Sequence, residues 1–244
     1  MIQASIDHLP LYAADLGRLA AGFERLGFTV SPLARYVDPE GRDGPWPSRG
    51  VFLERGWFDL QRADRAPPHA LYEPKACLLR VDALDAARAA LAHLRTDPPY
   101  RLERWWAASP GEGFELFNLR ERVAPLPMAL IAHAEPMGDV DAAWRLHANG
   151  ASCLSRLVFG GAEPGPGADA VSKAMDLSAF AYLAADEFAP RFGAARLALV
   201  VKTASLDAAA RALADGGLTF SPHAGGLDAP AQAPFACGWR FEPA

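Results

Sequence analysis

The sequence predicts an α+β protein of tandem βαβββ modules, whose curved mixed sheets enclose cavities and carry their helices outside. Three observations predict it. Apolar runs of strand length alternate with amphipathic helix-length segments along the chain. Two of these strand–helix pairs are near copies: CLLRVDALDAARAAL from Cys77 and ALVVKTASLDAAARAL from Ala198 each place an apolar strand, a short turn and Leu-Asp-Ala-Ala in a helix. Finally, 244 residues with 51% hydrophobic content can bury a sizeable core, as one large or two small domains.

The elements follow in order. Residues 5–12 read as a strand, and Asp15 can cap a helix that sets Leu16, Leu19, Ala20, Phe23 and Leu26 at helical spacing. Gly27 suits its C-cap. Residues 34–50 hold three Gly and three Pro and read as a loop. Strands at 51–54 and 57–61 flank the tight turn Arg55-Gly56. The pattern then repeats: a strand at 76–81, a helix opened by Asp82 or Asp85, and strands at 101–107 and 114–119 around a turn at Ser109-Pro110-Gly111.

Residues 122–150 are rich in Pro, His and Ala and read as a connector, so the expected domains are 1–121 and 151–244. Beyond it come a strand at 152–161, a short helix at 169–175, the stretch FAYLAADEF, the strand–helix pair 197–217 and a closing strand, CGWRFEP. Four related units result. A strand–helix–strand unit cannot bury its sheet alone, so units must pair.

Composition excludes several function classes. Net charge is −5, with 24 basic and 29 acidic residues spread along the chain, and no basic run marks a nucleic-acid partner. The start MIQASIDHLPLY lacks the basic and apolar regions of a secretory signal. No stretch approaches the roughly 20 apolar residues of a membrane span. Cys77, Cys153 and Cys237 sit in apolar runs and read as buried free thiols of a reducing, cytoplasmic compartment. No dinucleotide or phosphate-loop glycine motif and no Gly-x-Ser-x-Gly elbow occurs.

Three local stretches give the chain its likeness to a known family. IDHLPLYAADLGRLAAGFERLGFTV, WFDLQ and SPGEGFELFNL, in this order, resemble the vicinal-oxygen-chelate superfamily, and LHANGA at 146–151 resembles its glyoxalase-like branch. The resemblance implies a divalent ion (Fe, Mn, Ni or Zn) held by His8, Asp59 and Glu115, with Glu115 also catalytic. It implies lyase, isomerase, dioxygenase or ligand-binding activity on a small oxygen-rich molecule, and a possible homodimer. The family's remaining ligand position falls near Ala76, which cannot coordinate, and Asp59 replaces the usual Glu.

Strand alternation bears on the same residues. His8 shares a face with Tyr12, Asp59 with Trp57 and Gln61, and Glu115 with Phe117. All of these are expected to face one cavity, with Tyr12, Trp57, Gln61 and Phe117 touching substrate. Laying 151–244 over the first half sets Arg156 at the place of His8 and Arg240 near that of Glu115. These arginines would hold an anionic group or dock the halves through ion pairs. Three readings stand: a metal-dependent enzyme, a binding protein of the same fold, and a scaffold that has lost its site.

Overall fold

The computed structural model describes residues 1–244 except 39, 42–46, 64–70, 107–108, 135–137 and 139, and the backbone alone of 109–112. The first half is a closed eight-stranded barrel. Its first unit is β1 (Ser5–Ala13), α1 (Leu16–Arg25), β2 (Ala34–Val37), β3 (Ser48–Phe52) and β4 (Trp57–Arg62). Its second is β5 (Cys77–Arg80), α2 (Leu84–Ala90), β6 (Tyr100–Trp106), β7 (Ser109–Leu119) and β8 (Met128–His133). In both units the first and last strands pair in parallel, β1 with β4 and β5 with β8. The units join twice, through antiparallel β1–β5 and antiparallel β2–β6.

Local chemistry fits this path. The Asp15 side chain accepts from the Arg18 N–H and caps α1, which buries Leu19, Ala20 and Phe23. Gly56 takes a positive φ of 80° between β3 and β4, as a tight turn requires. Three details differ from the sequence reading: the stretch 34–50, read as a loop, holds β2 and the start of β3, and two more lie further along. β8 lies within the stretch read as connector, and β7 begins at Ser109, where a turn was expected. The β6–β7 turn itself falls on residues 107–108, outside the described residues.

The second half repeats the plan incompletely. Its last unit is whole: β11 (Leu197–Thr203), α5 (Leu206–Asp215), β12 (Ser221–His223), β13 (Gly226–Ala229) and β14 (Gly238–Pro243). The unit before it has only β9 (Ala151–Gly160), α3 (Ala168–Ser172) and β10 (Phe180–Leu183), followed by a helix, α4 (Ala185–Phe192). The resulting sheet, β10-β9-β11-β14-β13-β12, stays open. Helix α4 lies against one face of it, where Phe188 and Phe192 pack with Val158, Ala198 and Val200.

The other face of this sheet and the outside of the barrel share one apolar core. Phe23 of α1 meets Phe58 of β4 and both Phe235 and Trp239 of the second half, at ring separations of 5.1–5.7 Å. Asn149, fully buried, donates to the Leu26 carbonyl and accepts from the Ala151 N–H. His147 accepts from the Thr29 N–H and bonds the Phe52 carbonyl. Both residues fasten the connector to the barrel. No helix among the described residues is long and apolar enough to cross a membrane.

Candidate functional site

Alternation along the barrel strands decides what points inward. On β1, Leu9, Leu11 and Ala13 enter the outer core, which leaves His8, Pro10 and Tyr12 to the interior. On β4, Phe58 and Leu60 go outward, while Asp59 and Gln61 go inward. A cavity of about 230 Å³ results. Its polar wall is His8, Asp59, Gln61 and Tyr36, and its facing wall is apolar, with Leu78, Leu102, Phe114 and Leu116. Tyr12 and Tyr100, both partly exposed, stand at the rim.

A layer of aromatic side chains closes the barrel beyond this cavity. Trp57 stacks on Phe52 at 5.1 Å, and Trp106 and Trp144 lie next to them. The Arg104 guanidinium is buried against the rings of Phe52, Trp57 and Trp106 at 5.2–5.5 Å. Trp57 therefore belongs to the floor under the site, with its indole 4.5 Å from the His8 ring.

Besides Trp57, which was expected to touch substrate and does not line the cavity, two sequence expectations need correcting. Glu115 is exposed on the outside of the barrel, beside Arg101 and Ala132. Phe117 is fully buried, in the outer core. On β7 it is Phe114, Leu116 and Asn118 that face inward. Both faces of FELFNL carry an aromatic residue, so alternation alone could not choose between them.

Asp59 is the most unusual group in the cavity. Its exposure is 1%. Oδ2 accepts hydrogen bonds from Gln61 Nε2 and, at 3.2 Å, from the Tyr36 hydroxyl. Oδ1 has no hydrogen-bond partner among the described residues. Burial pushes the carboxyl above its ordinary range, and the opposing pull of His8, Gln61, Ser48 and Tyr36 does not cancel it.

Sequence reasoning missed Asp7 and His133. The pairing of β1 with β5 slips between Ile6 and His8, so Asp7 is an extra residue at a bulge and is buried at 5% exposure. The Asp7 carboxylate bonds His8 Nδ1 at 2.6 Å and His133 Nε2 at 2.8 Å. It also accepts from the Trp57 indole N–H at 3.3 Å. Burial alone would raise this carboxyl, but the two imidazoles outweigh it and hold the group well below the usual carboxylate range. An apolar run, MALIAH, was the available signal for a strand ending at His133.

The implied metal does not fit these donors. Glu115 lies outside, Ala76 and Leu116 occupy the facing wall, and only His8 and Asp59 remain. His8 offers Nε2 alone, since Nδ1 is bonded to Asp7, and Asp59 offers Oδ1, since Oδ2 already accepts two hydrogen bonds, so the cavity supplies two donor atoms. Catalytic ions of this class typically take about three protein ligands. Among the described residues, no group of three or more His, Cys, Asp or Glu is placed to hold one.

In the second half, Arg240 bonds Glu242 and Asp228, and Arg191 bonds Asp228 through two nitrogens. Arg156 lines the same small pocket, of about 160 Å³, beside Arg191 and Arg240. The partners of Arg240 thus come from its own half, and these ion pairs do not dock the halves together. A groove of about 720 Å³ runs beside the 160–166 loop and α4, lined chiefly by Gly, Ala and Pro with Arg122, Glu163 and Arg196 as its charged groups. None of the buried polar side chains lies in it.

No protein-family model matches the chain, and no curated protein sequence does. Solved structures do. A catechol 2,3-dioxygenase aligns over 100% of this chain and 93% of its own, at 11% identity and a TM-score of 0.53. A variant of 4-hydroxymandelate synthase from Streptomyces coelicolor aligns over 99% of this chain and 92% of its own, at 12% identity and a TM-score of 0.54.

Proposed function

From the premise that the chain has the vicinal-oxygen-chelate fold, we propose that its barrel cavity binds a small, mainly apolar molecule carrying a hydroxyl or carbonyl oxygen. The observation that carries this reading is Asp59 Oδ1, a buried polar atom without a partner among the described residues, on the wall of a preformed and largely apolar hollow. Leaving such an atom unpaired costs about 1–3 kcal/mol. A ligand oxygen offers the missing hydrogen bond, and the ring or chain behind it covers Leu78, Leu102, Phe114 and Leu116. The volume lies below the roughly 300–1,000 Å³ of drug-sized sites, which favours a ligand of one or two rings.

Metal-dependent lyase, isomerase or dioxygenase chemistry would need donors that the cavity does not bring together. Of the expected set, His8 and Asp59 are present. Titration of the purified protein with Fe²⁺, Mn²⁺, Ni²⁺ and Zn²⁺ is expected to reveal no tight cavity site. A stoichiometric ion lost on His8→Ala would reverse that conclusion.

The binding reading is tested with phenol and toluene, followed by tryptophan fluorescence. One hydrogen bond to a buried group is worth about 0.5–1.5 kcal/mol, so phenol should bind up to about ten-fold tighter. Asp59→Ala should erase that preference, and filling the cavity with Leu116→Trp should abolish binding of both. Equal affinity of wild type for the two probes would defeat the proposal.

A further inference from the structure

We infer that this cavity is a metal-independent proton-abstracting site, with His8 as the base and with Asp7 and His133 as the residues that position it. The inference rests on the cavity reading above, because the reacting molecule must first seat beside Asp59.

The argument starts from the bulge. In a regular strand Asp7 would face away from His8. The irregularity before His8 instead buries its carboxylate among three donors, His8 Nδ1, His133 Nε2 and Trp57 Nε1. An ionised carboxylate only accepts hydrogen bonds, so each imidazole nitrogen facing it must carry the hydrogen. His8 is thereby fixed with its proton on Nδ1. The ring lines the cavity, so Nε2, with its lone pair, is the atom left for a ligand.

His133 and Trp57 keep the carboxylate in place, and the Trp57 indole 4.5 Å from His8 limits the ring's tilt. When Nε2 takes a proton, the imidazolium forms against a negative charge that is already there. This is the arrangement a general base needs. Asp59, which burial favours in its neutral form, stands on the same wall. In its protonated form, and only in that form, it donates a hydrogen bond to the oxygen on which the ligand's new negative charge collects.

The probe is 5-nitrobenzisoxazole, a small fused ring with one acidic C–H. His8 Nε2 takes that hydrogen as a proton. The C–H electron pair completes a nitrile, the N–O bond breaks, and its pair leaves on oxygen as a coloured phenolate. The imidazolium then returns its proton to water. Turnover after EDTA treatment is expected to persist and to fall about 100-fold in His8→Ala. Asp7→Asn, which can present a donor to His8 and so favours the other tautomer, should cost about ten-fold or more.

Two further measurements separate the possible failures. Nitrogen-15 NMR of the wild type should show His8 as the Nδ1–H tautomer, and the Nε2–H tautomer would overturn the inference. Tryptophan quenching reports whether the probe binds. A probe that binds and reacts no faster than with His8→Ala overturns the base and spares the binding reading. A probe that fails to bind counts against the binding reading for this ring. The base is then judged by carbethoxylation at His8 with diethyl pyrocarbonate, mapped by mass spectrometry. A wild-type rate about ten-fold above that of Asp7→Asn supports it, and equal rates overturn it.

Discussion

The two halves of this chain begin from the same kind of unit and end differently. The first closes eight strands into a barrel and keeps a hollow inside. The second leaves six strands open and lays α4 on the face that corresponds to the barrel interior. The cause lies in the unit that opens the second half. It has β9, a helix and β10 but lacks the two strands that, in the first half, let β2 meet β6. Without them the sheet cannot close, and its apolar face must be covered in another way. Phe188 and Phe192 cover it. A Cβ on Gly160 would lie 2.3 Å from the Phe188 ring, and one on Gly238 would lie 2.7 Å from Phe192. Closure leaves a hollow of about 230 Å³, whereas a helix used as a lid narrows the corresponding room to a pocket of about 160 Å³.

Substitutions can break or sharpen this contrast. The largest effect is expected at the plug. Phe192→Ala should cost about 3–5 kcal/mol in urea unfolding, since a fully buried aromatic leaves a void. In the barrel, Leu116→Ala borders space that is already empty and should cost about 2 kcal/mol, at the low end for such a change. It should also enlarge the cavity and admit bulkier phenols. Equal losses at the two sites would mean that the hollow and the plug are packed alike.

The barrel's two buried carboxyls sharpen the comparison through pH. The folded state holds Asp7 below its ordinary value, despite burial, through His133 and His8. Its contribution is therefore present above about pH 4, the unfolded value, and is lost as pH falls toward the folded one. Asp7→Asn should flatten the acid limb of a plot of Tm against pH. The smallest effect is expected at Asp59, which burial shifts the other way. Stability tied to it is fullest below about pH 4 and declines as pH rises through the raised folded value. Asp59→Asn should thus raise Tm slightly at neutral pH, as removing a strained functional group often does. A drop in Tm at neutral pH would show that Asp59 is structural.

The repeat, the helices α1, α2, α3 and α5, and the inward faces of β1 and β4 were legible in the sequence. His8, Tyr12, Asp59 and Gln61 follow from a period of two, because Leu9, Leu11, Phe58 and Leu60 mark the opposite face clearly. The inward face of β7 was not legible, since Phe114 and Phe117 make its two faces equally apolar and a motif likeness tipped the choice toward Glu115. Asp7 was hidden for another reason. A bulge breaks the period, and no pattern of single residues announces it. Likewise α4 follows β10 with no turn signal beyond Ala184, so FAYLAADEF does not reveal where strand gives way to helix.

The cluster of Phe23, Phe28, Phe58, Phe235 and Trp239 has a practical corollary for anyone wishing to produce the barrel on its own. Cutting the chain near residue 150 would strip Phe235 and Trp239 from these rings and bare a greasy patch on each fragment. Each piece would then be prone to clump, and the two would be expected to dissolve well only when made together.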